Sequence, residues 1–292
     1  MPAPLVENAP AKVNLTLRVL GRRDDGYHEI ESLVAFADWG DRLTLMPDSE
    51  LALAVSGPRT GQAGAGADNL VLRAARALAA RIPGIKLGGF NLEKKLPVAA
   101  GLGGGSADAA AALRLIADAN GIARDDPDLY AAAGATGADV PVCLDPRPRI
   151  MRGIGEVLSA PLFLPQLPAV LVNPGVALAT KAVFAAWKPA AALPVAIDLA
   201  AIAKLTSRDD LLGFLATQGN DLEDPAIALK PVIADVLNAL RGLPGCGLAR
   251  MSGSGASCFA LFGAAAAALE AAKILRAKFP NWWVQSGALG GR

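Results

Sequence analysis

The sequence predicts an α+β fold built from two domains. The chain has 292 residues, which exceeds the usual size of a single hydrophobic core. Strand-like runs alternate with helical runs but form no regular parallel βαβ series, a pattern typical of α+β layers. The proline-punctuated stretch from Pro161 to Pro168 has the composition of an interdomain connection. We therefore expect one domain over residues 1–162 and a second over residues 163–292.

Strand periodicity is clearest near the N-terminus. From Lys12 to Leu20 polar and apolar residues alternate strictly, which predicts a strand with Lys12 and Asn14 on its polar face. Turn residues at Gly40-Asp41 and Pro47-Asp48 are expected to separate the short strands that follow. The further strands are expected over residues 29–36, 42–46, 51–55, 85–92, 169–173, 247–251, 258–262 and 282–285.

Helices are marked by caps and by the helical spacing of apolar residues. Asp68 is expected to cap a helix that stops at Pro83-Gly84, and Asp126-Pro127 has the cap-then-proline order of a second helix start. Apolar spacing predicts a further helix that ends at Asn120-Gly121. In the second half, helices are expected over residues 180–187, 227–240 and 265–278.

The most informative segment reads PVAAGLGGGSA and runs from Pro97 to Ala107. A predicted strand precedes it and a predicted helix follows it. Consecutive glycines let several backbone N–H groups converge on one anion, and the helix start adds unpaired N–H groups and the positive end of its dipole. Ser106 offers a hydroxyl to a phosphate oxygen or to Mg²⁺. This segment is expected to bind phosphate; the alternative is a flexible turn that tolerates glycine.

Several classes of protein are excluded by motif and composition. No G-x-x-x-x-G-K-[ST] loop occurs, and G-x-G-x-x-G fails because Ser106 takes the last glycine position. A net charge of +1 does not fit a nucleic-acid-binding surface. Three widely spaced cysteines fit neither a disulfide framework nor a zinc site, and no apolar run is long enough to span a membrane. We expect a cytoplasmic protein that binds a small molecule, either monomeric or weakly dimeric.

Four other clusters carry polar residues that catalysis or binding can use. They are the strand face with Lys12 and Asn14, the triplet with Tyr27 and His28, the acid Asp139 in GATGADVPV, and the turn in MSGSGASCFALF at residues 251–262. Each also has a structural interpretation. The first can be an exposed strand face, His28 a surface histidine, Asp139 a turn former, and the last cluster a simple hairpin.

Together these segments resemble the GHMP kinase superfamily. Its N-terminal lysine strand, its P-x-x-x-G-L-G-[GS]-[GS]-[SA]-A loop and its C-terminal glycine-rich turn all occur here in order. More selective are PAKVNLTL (10–17), DGYHEIES (25–32), ADNLVLRAA (67–75), GADVPV (137–142) and NPGVALAT (173–180), which are similar to the branch that phosphorylates a CDP-linked methylerythritol in isoprenoid synthesis. The resemblance implies a ribosomal-protein-S5-domain-2-like ATP domain and a ferredoxin-like C-terminal domain.

The resemblance also implies roles for individual residues. It makes Lys12 and Asp139 the catalytic pair, with ATP as phosphoryl donor and a Mg²⁺ ion that Ser106 contacts and ATP mainly holds. The residues expected to line ATP are Pro97, Val98, Ala99, Ala100, Gly101, Leu102, Gly103, Gly104, Gly105, Ser106 and Ala107 at the phosphates and Asn69, Leu70 and Lys94 on the adenosine side. The residues expected to bind the substrate are Asn14, Tyr27, His28, Thr180 and Phe184.

The chemistry of these side chains suits an alcohol kinase. The pKa of an ordinary aspartate, about 3.9, is roughly 12 units below that of a hydroxyl near water's pKa of about 15.7, a gap of ~16 kcal/mol. An aspartate therefore cannot remove the proton in advance, and Asp139 is expected to orient the hydroxyl and accept its proton late. Two alternatives remain open at this point. One is a related kinase acting on homoserine, mevalonate or a sugar, against which Tyr27 and His28 argue as a cytidine clamp. The other is a non-catalytic ligand-sensing relative, against which Lys12 and Asp139 argue.

Overall fold

The computed structural model describes residues 3–189 and 196–290. Its strands are β1 Leu5–Asn14, β2 Arg18–Arg22, β3 His28–Met46, β4 Leu53–Ser56, β5 Gly89–Glu93, β6 Arg149–Gly153, β7 Val157–Leu158, β8 Leu167–Asn173, β9 Cys246–Met251, β10 Cys258–Phe262 and β11 Trp283–Leu289. Its helices are α1 Leu70–Ala79, α2 Gly104–Asn120, α3 Pro127–Thr136, α4 Val140–Leu144, α5 Thr180–Ala186, α6 Leu199–Ile202, α7 Arg208–Ala216, α8 Glu223–Leu229, α9 Val232–Arg241 and α10 Ala265–Lys278. Within the described ranges, none of these helices has the length and apolar character needed to cross a membrane.

The chain packs into two compact units that are interleaved along the sequence. Unit 1 comprises residues 1–12, 39–98 and 103–146; unit 2 comprises residues 13–38, 99–102 and 147–292. Strands β1 and β3 therefore contribute residues to both units. The domain boundary expected after residue 162 stays a prediction, because these units follow packing and not chain order.

Unit 1 contains four helices, which contact one another, and a small sheet. The second half of β3 pairs antiparallel with β5, with Leu43 opposite Leu92, and β4 pairs parallel with β5. Helix α2 is the central helix, in contact with α1, α3 and α4. Its middle is buried on all sides, which its run of alanines permits because small side chains let neighbouring helices approach closely. The left-handed conformation of Gly121 ends α2, as the sequence predicts.

Unit 2 contains the ferredoxin-like arrangement. Four antiparallel strands lie in the order β11–β8–β10–β9, with helices between β8 and β9 and one helix, α10, between β10 and β11. Phe262 and Val172 belong to the apolar core beneath this sheet. The first half of β3 also belongs to unit 2 and pairs with β2 and β6. The α+β class and the ferredoxin-like second part are thus confirmed.

The predicted strand over residues 12–20 is wrong in its continuity. The strand breaks after Asn14 and resumes at Arg18. The backbone N–H groups of Leu15 and Thr16 both donate to the carbonyl of Leu33, so the regular pairing is lost there. Lys12 and Asn14 are each only 4% exposed, which rules out the alternative interpretation of this cluster as an exposed strand face. Polar residues in this alternation are therefore buried and require partners.

The division of β3 at Gly40-Asp41 is also wrong, since β3 continues without interruption through both residues. A Cβ on Gly40 would lie 2.0 Å from the carbonyl oxygen of Ala9. Gly40 therefore serves the close approach of the β1 backbone and not a turn. The turn predicted at Pro47-Asp48 is confirmed, because β3 ends at Met46.

Two helix predictions need correction as well. Asn69, and not Asp68, caps α1, because its side chain accepts from the backbone N–H of Val71 at 3.0 Å. The helix predicted over residues 227–240 is two helices, α8 and α9, since Pro231 cannot continue α8. The start of α3 at Pro127, with the Asp126 side chain accepting from Asp128, is confirmed.

Candidate active site

The glycine loop leads into α2, and its residues from Gly103 onward belong to unit 1. Gly103 adopts the left-handed conformation at φ +61° and forms the N-cap, and its carbonyl accepts from the N–H of Ala107 at 2.8 Å. The N–H groups of Gly104, Gly105 and Ser106 lie in the first turn, where a helix offers no carbonyl partner. These donors and the positive end of a seventeen-residue helix are groups that attract an anion, and phosphate binding by this loop stays a prediction.

Lys12 and Asp139 form an ion pair beside this loop. Lys12 Nζ lies 2.8 Å from Asp139 Oδ2, although the two residues are 127 positions apart in the chain. The methylene chain of Lys12 packs on the loop, because a Cβ on Gly103 would lie 3.1 Å from Lys12 Cβ and 3.3 Å from its Cε. The pair therefore lies at the helix end that attracts anions.

The local sequence around Asp139 explains its placement. Helix α3 ends at Thr136, the N–H of Val140 donates back to the carbonyl of Gly137, and the short helix α4 begins directly after Asp139. All five residues of α4 are buried. Asp139 is the last polar residue before this apolar run, and its side chain remains 39% exposed. The run anchors the acid and leaves its carboxylate accessible.

A second cluster of charges lies beneath the loop. Lys94 Nζ is 2.6 Å from Asp41 Oδ2 and 2.5 Å from Asp108 Oδ2, and all three residues are buried. Asp41 also accepts from the N–H groups of Lys95 and Leu96. A Cβ on Gly104 would lie 3.3 Å from Lys94 Nζ. One ammonium thus connects β3, the segment that leads into the loop, and the second turn of α2.

The pKa values of this cluster follow from its burial. Burial opposes the charge on Lys94, but the Asp108 and Asp41 carboxylates outweigh it, so the pKa of Lys94 is raised. Burial raises the pKa of Asp108, and the Lys94 ammonium opposes that rise. The Lys94 ammonium is bound to two buried carboxylates. Its expected place on the adenosine side of ATP stays a prediction.

Asn69 and Leu70 lie at the start of α1. The Asn69 side chain caps that helix and donates to the carbonyl of Gly64 at 2.7 Å. A Cβ on Gly105 would lie 3.2 Å from Leu70 Cδ1, so Leu70 lies against the loop. Unit 1 thus brings together Lys12, Asp139, Asn69, Leu70, Lys94 and the loop residues Pro97, Val98 and 103–107.

The middle of the glycine loop, residues 99–102, belongs to unit 2. Ser252 Oγ donates to the carbonyl of Gly101 at 2.9 Å, and the N–H of Ser257 donates to the carbonyl of Ala100 at 3.1 Å. Gly101 has φ +73°, and a Cβ there would lie 2.5 Å from the carbonyl oxygen of Ser252. The turn between β9 and β10 is therefore a hairpin that also holds this part of the loop.

The same turn contacts two residues that the sequence assigns to substrate. The backbone N–H of Asn14 donates to Ser252 Oγ at 3.1 Å, and the Asn14 side chain donates to Ser32 Oγ at 2.7 Å. Thr180 Oγ1 lies 2.9 Å from Ser254 Oγ. Asn14, Thr180 and the serines of the turn therefore form one polar cluster in unit 2.

His28 is surrounded by aromatic side chains of α5 and its C-terminus. Its ring centroid lies 5.0 Å from that of Phe184 and 5.7 Å from that of Trp187, the latter edge-on. Burial, aided by the charge of Arg22, lowers the pKa of His28 below its ordinary value of 6.5. The imidazole is therefore neutral at pH 7, with one nitrogen donating and one accepting. The adjacent Tyr27 is 60% exposed.

Metal ligands are sparse in the described part of the chain. No group of three or more His, Cys, Asp or Glu side chains there could hold a metal ion. The Ser106 hydroxyl, in the first turn of α2, can supply one oxygen ligand. The contact expected between Ser106 and a magnesium ion held mainly by ATP stays a prediction.

The glycine loop, the Lys12–Asp139 ion pair and the two-unit α+β fold are together typical of one family of phosphotransferases. Residues 69–145 match the family GHMP kinases N terminal domain, and residues 198–281 match GHMP kinases C terminal. The chain belongs to the GHMP kinases. The resemblance inferred from its motifs is thus confirmed.

Particular relatives narrow the comparison further. A Methylobacterium radiotolerans protein named 4-diphosphocytidyl-2-C-methyl-D-erythritol kinase is 60% identical over 286 residues, or 96% of this chain and 97% of that protein. A Rhodopseudomonas palustris kinase of the same name is 55% identical over 292 residues, with 98% and 99% coverage. A crystal structure of 4-(cytidine 5'-diphospho)-2C-methyl-D-erythritol kinase superposes with a TM-score of 0.78 at 38% identity, covering 99% of this chain and 100% of the other. Homoserine kinase from Cytophaga hutchinsonii, at 22% identity and a TM-score of 0.70, shares the fold.

Sequence reasoning missed several residues of these clusters. Ser252 and Ser254 lie in the predicted glycine- and serine-containing turn, but the sequence assigned no role to either serine. Trp187 lies at the C-terminus of α5, three positions after Phe184. Asp41 was interpreted as a turn residue. The i, i+3 spacing of Phe184 and Trp187 could have indicated that both rings share one helix face.

Proposed function

We propose that the chain transfers the γ-phosphoryl group of ATP to the 2-hydroxyl of 4-diphosphocytidyl-2-C-methyl-D-erythritol, in the non-mevalonate route to isoprenoid precursors. The observation that supports this most is the Lys12–Asp139 pair packed against Gly103 at the start of α2. A carboxylate, an ammonium and a helix N-terminus are what in-line phosphoryl transfer to an alcohol requires.

Unit 1 supplies the groups for transfer. The N–H groups of Gly104, Gly105 and Ser106 bind phosphate oxygens, and the Lys12 ammonium stabilises negative charge that develops on the transferred group. Asp139 Oδ2 accepts from Lys12, so its other oxygen is available to the acceptor hydroxyl. Asp139 orients that hydroxyl and takes its proton as the new phosphorus–oxygen bond forms.

Unit 2 supplies the groups that select the substrate. Tyr27 and Phe184 offer aromatic faces to a flat base, and neutral His28 can donate to one atom of the cytosine edge and accept from its amino group. Asn14 and Thr180 offer polar groups to the sugar-like part. A cytidine clamp has no use in a kinase for homoserine, mevalonate or galactose, so these residues favour the CDP-linked alcohol.

Magnesium completes the proposal. The Ser106 hydroxyl would be its protein ligand, and the ion when bound neutralises charge on the phosphates. A location in the cytoplasm and a monomer or weak homodimer remain our predictions.

The test is turnover with matched acceptors. Purified protein receives ATP, Mg²⁺ and, in parallel, the CDP-linked methylerythritol, homoserine, mevalonate and galactose, and ADP release is followed. We expect turnover with the first alone, and competitive inhibition by CDP and CMP. Turnover with another acceptor, or no competition by CDP, would contradict the assignment.

A further inference from the structure

Arg114 is a buried cation that belongs neither to the glycine loop nor to the Lys12–Asp139 pair. It lies on α2, and its side chain is 5% exposed. Its guanidinium donates to the carbonyl of Cys143 at 2.6 Å, to the carbonyl of Asn8 at 2.9 Å and to the carboxylate of Glu7 at 3.3 Å. Burying a charge is costly unless it is paired and hydrogen-bonded, and these three acceptors satisfy that condition.

The acceptors lie on the two elements that carry the catalytic pair. Asn8 is on β1, four residues before Lys12, and Cys143 is on α4, four residues after Asp139. One guanidinium therefore joins the strand of Lys12 to the helix that follows Asp139. All of these residues belong to unit 1.

Helix α4 has little means of holding its own orientation. It has five residues, so its last four carbonyl groups, that of Cys143 included, lack intrahelical partners, and helices this short are not stable alone. The bond from Arg114 to the Cys143 carbonyl satisfies one of those groups. The burial of its five side chains and this bond are the contacts that hold α4, which follows Asp139 directly in the chain.

We propose that Arg114 is a positioning residue that sets the geometry of the Lys12–Asp139 pair by joining β1 to α4. This rests on the proposed function. A guanidinium presents a rigid planar fork that can bond two carbonyls at once, whereas a lysine ammonium is a compact charge on a flexible stem. A displacement of about 1 Å at a reacting group can reduce the rate about 10²-fold.

The first test compares R114K and R114Q with a matched control. Arg124 also pairs with Glu7 but is exposed and bonds Asp118 instead of a carbonyl of α4, so R124K changes an arginine that does not contact α4. We expect kcat to fall at least about tenfold in R114K and R114Q, with both KM values within about threefold, and R124K to stay within about twofold of the wild type. Thermal melts and titration with an ATP analogue measure the fraction of each variant that is folded and binds ligand. If only one of R114K and R114Q folds, its kcat is sufficient for the test.

The second test combines variants. If Arg114 acts through Asp139, R114K should lower kcat little further in a D139N background, since groups that act as a unit are not additive. Losses that multiply in the double variant, or wild-type kcat in R114K, would each overturn the proposal. Two outcomes separate this proposal from the proposed function. If D139N keeps wild-type turnover, the proposed catalytic role of Asp139 is wrong. If D139N is inactive but R114K keeps wild-type kcat, only the role of Arg114 is wrong.

Discussion

Lys12 and Asp139 are paired at 2.8 Å with very unequal exposure: the lysine side chain is 5% exposed and the aspartate side chain 39%. A buried ammonium needs a counter-charge, and here the carboxylate supplies it while keeping one oxygen open. The ion pair is therefore buried at Lys12 and accessible at Asp139. This asymmetry suits a residue that must meet a substrate hydroxyl.

Gly103 offers a test of the contact between the loop and Lys12. An alanine there must take a left-handed conformation, costing about 1–2 kcal/mol, and its Cβ would press on Lys12 at 3.1 Å. Gly121, at the other end of α2, has a similar φ of +65° and open space around it. We expect G103A and G121A to lose similar unfolding free energy in urea, but only G103A to lose at least about tenfold in kcat. Equal kcat values would show that Lys12 is not displaced.

The buried cluster around Lys94 predicts a stability effect. K94M leaves Asp41 and Asp108 buried without their cation, so the free energy of unfolding should fall by about 3–5 kcal/mol in urea titrations. The neighbouring Lys95 pairs with Glu93 at the surface, and K95M should change stability by less than about 1 kcal/mol. Similar losses in the two variants would mean that burial of the cluster contributes nothing.

His28 predicts a pH dependence with a definite sign. Its pKa is lowered in the folded protein, so acidification below the ordinary value of 6.5 protonates the unfolded chain more readily and reduces stability. Protonation also removes the acceptor nitrogen, so KM for the cytidyl substrate should rise as pH falls, while KM for ATP stays level. H28Q, which keeps a donor and an acceptor but does not titrate, should flatten the profile. A slope that persists in H28Q would assign it to another group.

Metal dependence tests the place of Ser106. Chelation with EDTA should abolish turnover, and added Mg²⁺ should restore it. S106A should raise the Mg²⁺ concentration for half-maximal activity several-fold while leaving CDP inhibition unchanged, because CDP is expected to bind at Tyr27 and His28 and not at Ser106. An unchanged Mg²⁺ requirement in S106A would leave the ion without a protein ligand.

The sequence predicted the helix ends and turns, because interactions between neighbouring residues determine them. The glycine run, the α2 start beside it and the Gly121 end depend on backbone freedom and capping, which neighbouring residues determine. The hairpin at residues 251–262 follows from its turn residues for the same reason. Pro231, in contrast, was visible in the sequence, and its helix-breaking effect should have divided the helix predicted there.

Tertiary packing decided what the sequence alone did not show. Alternation around Lys12 is typical of a half-exposed strand, but residues 9–17 are buried throughout, so each polar side chain there has an interior partner. Arg114 stands in an alanine-rich helix, where an arginine ordinarily faces water. Its proposed role depends on tertiary contacts, to Glu7 and Asn8 more than 100 positions away and to Cys143 on α4.

The most direct test of the central claim is the single-turnover rate of D139N with ATP, Mg²⁺ and 4-diphosphocytidyl-2-C-methyl-D-erythritol. Rapid quenching measures product, ³¹P NMR locates the new phosphate, and equilibrium titrations measure the affinity for each ligand. We expect the wild type to phosphorylate the 2-hydroxyl, and D139N to bind both ligands within about threefold but to transfer phosphate at least about 10²-fold more slowly. Transfer by D139N at the wild-type rate would contradict the account.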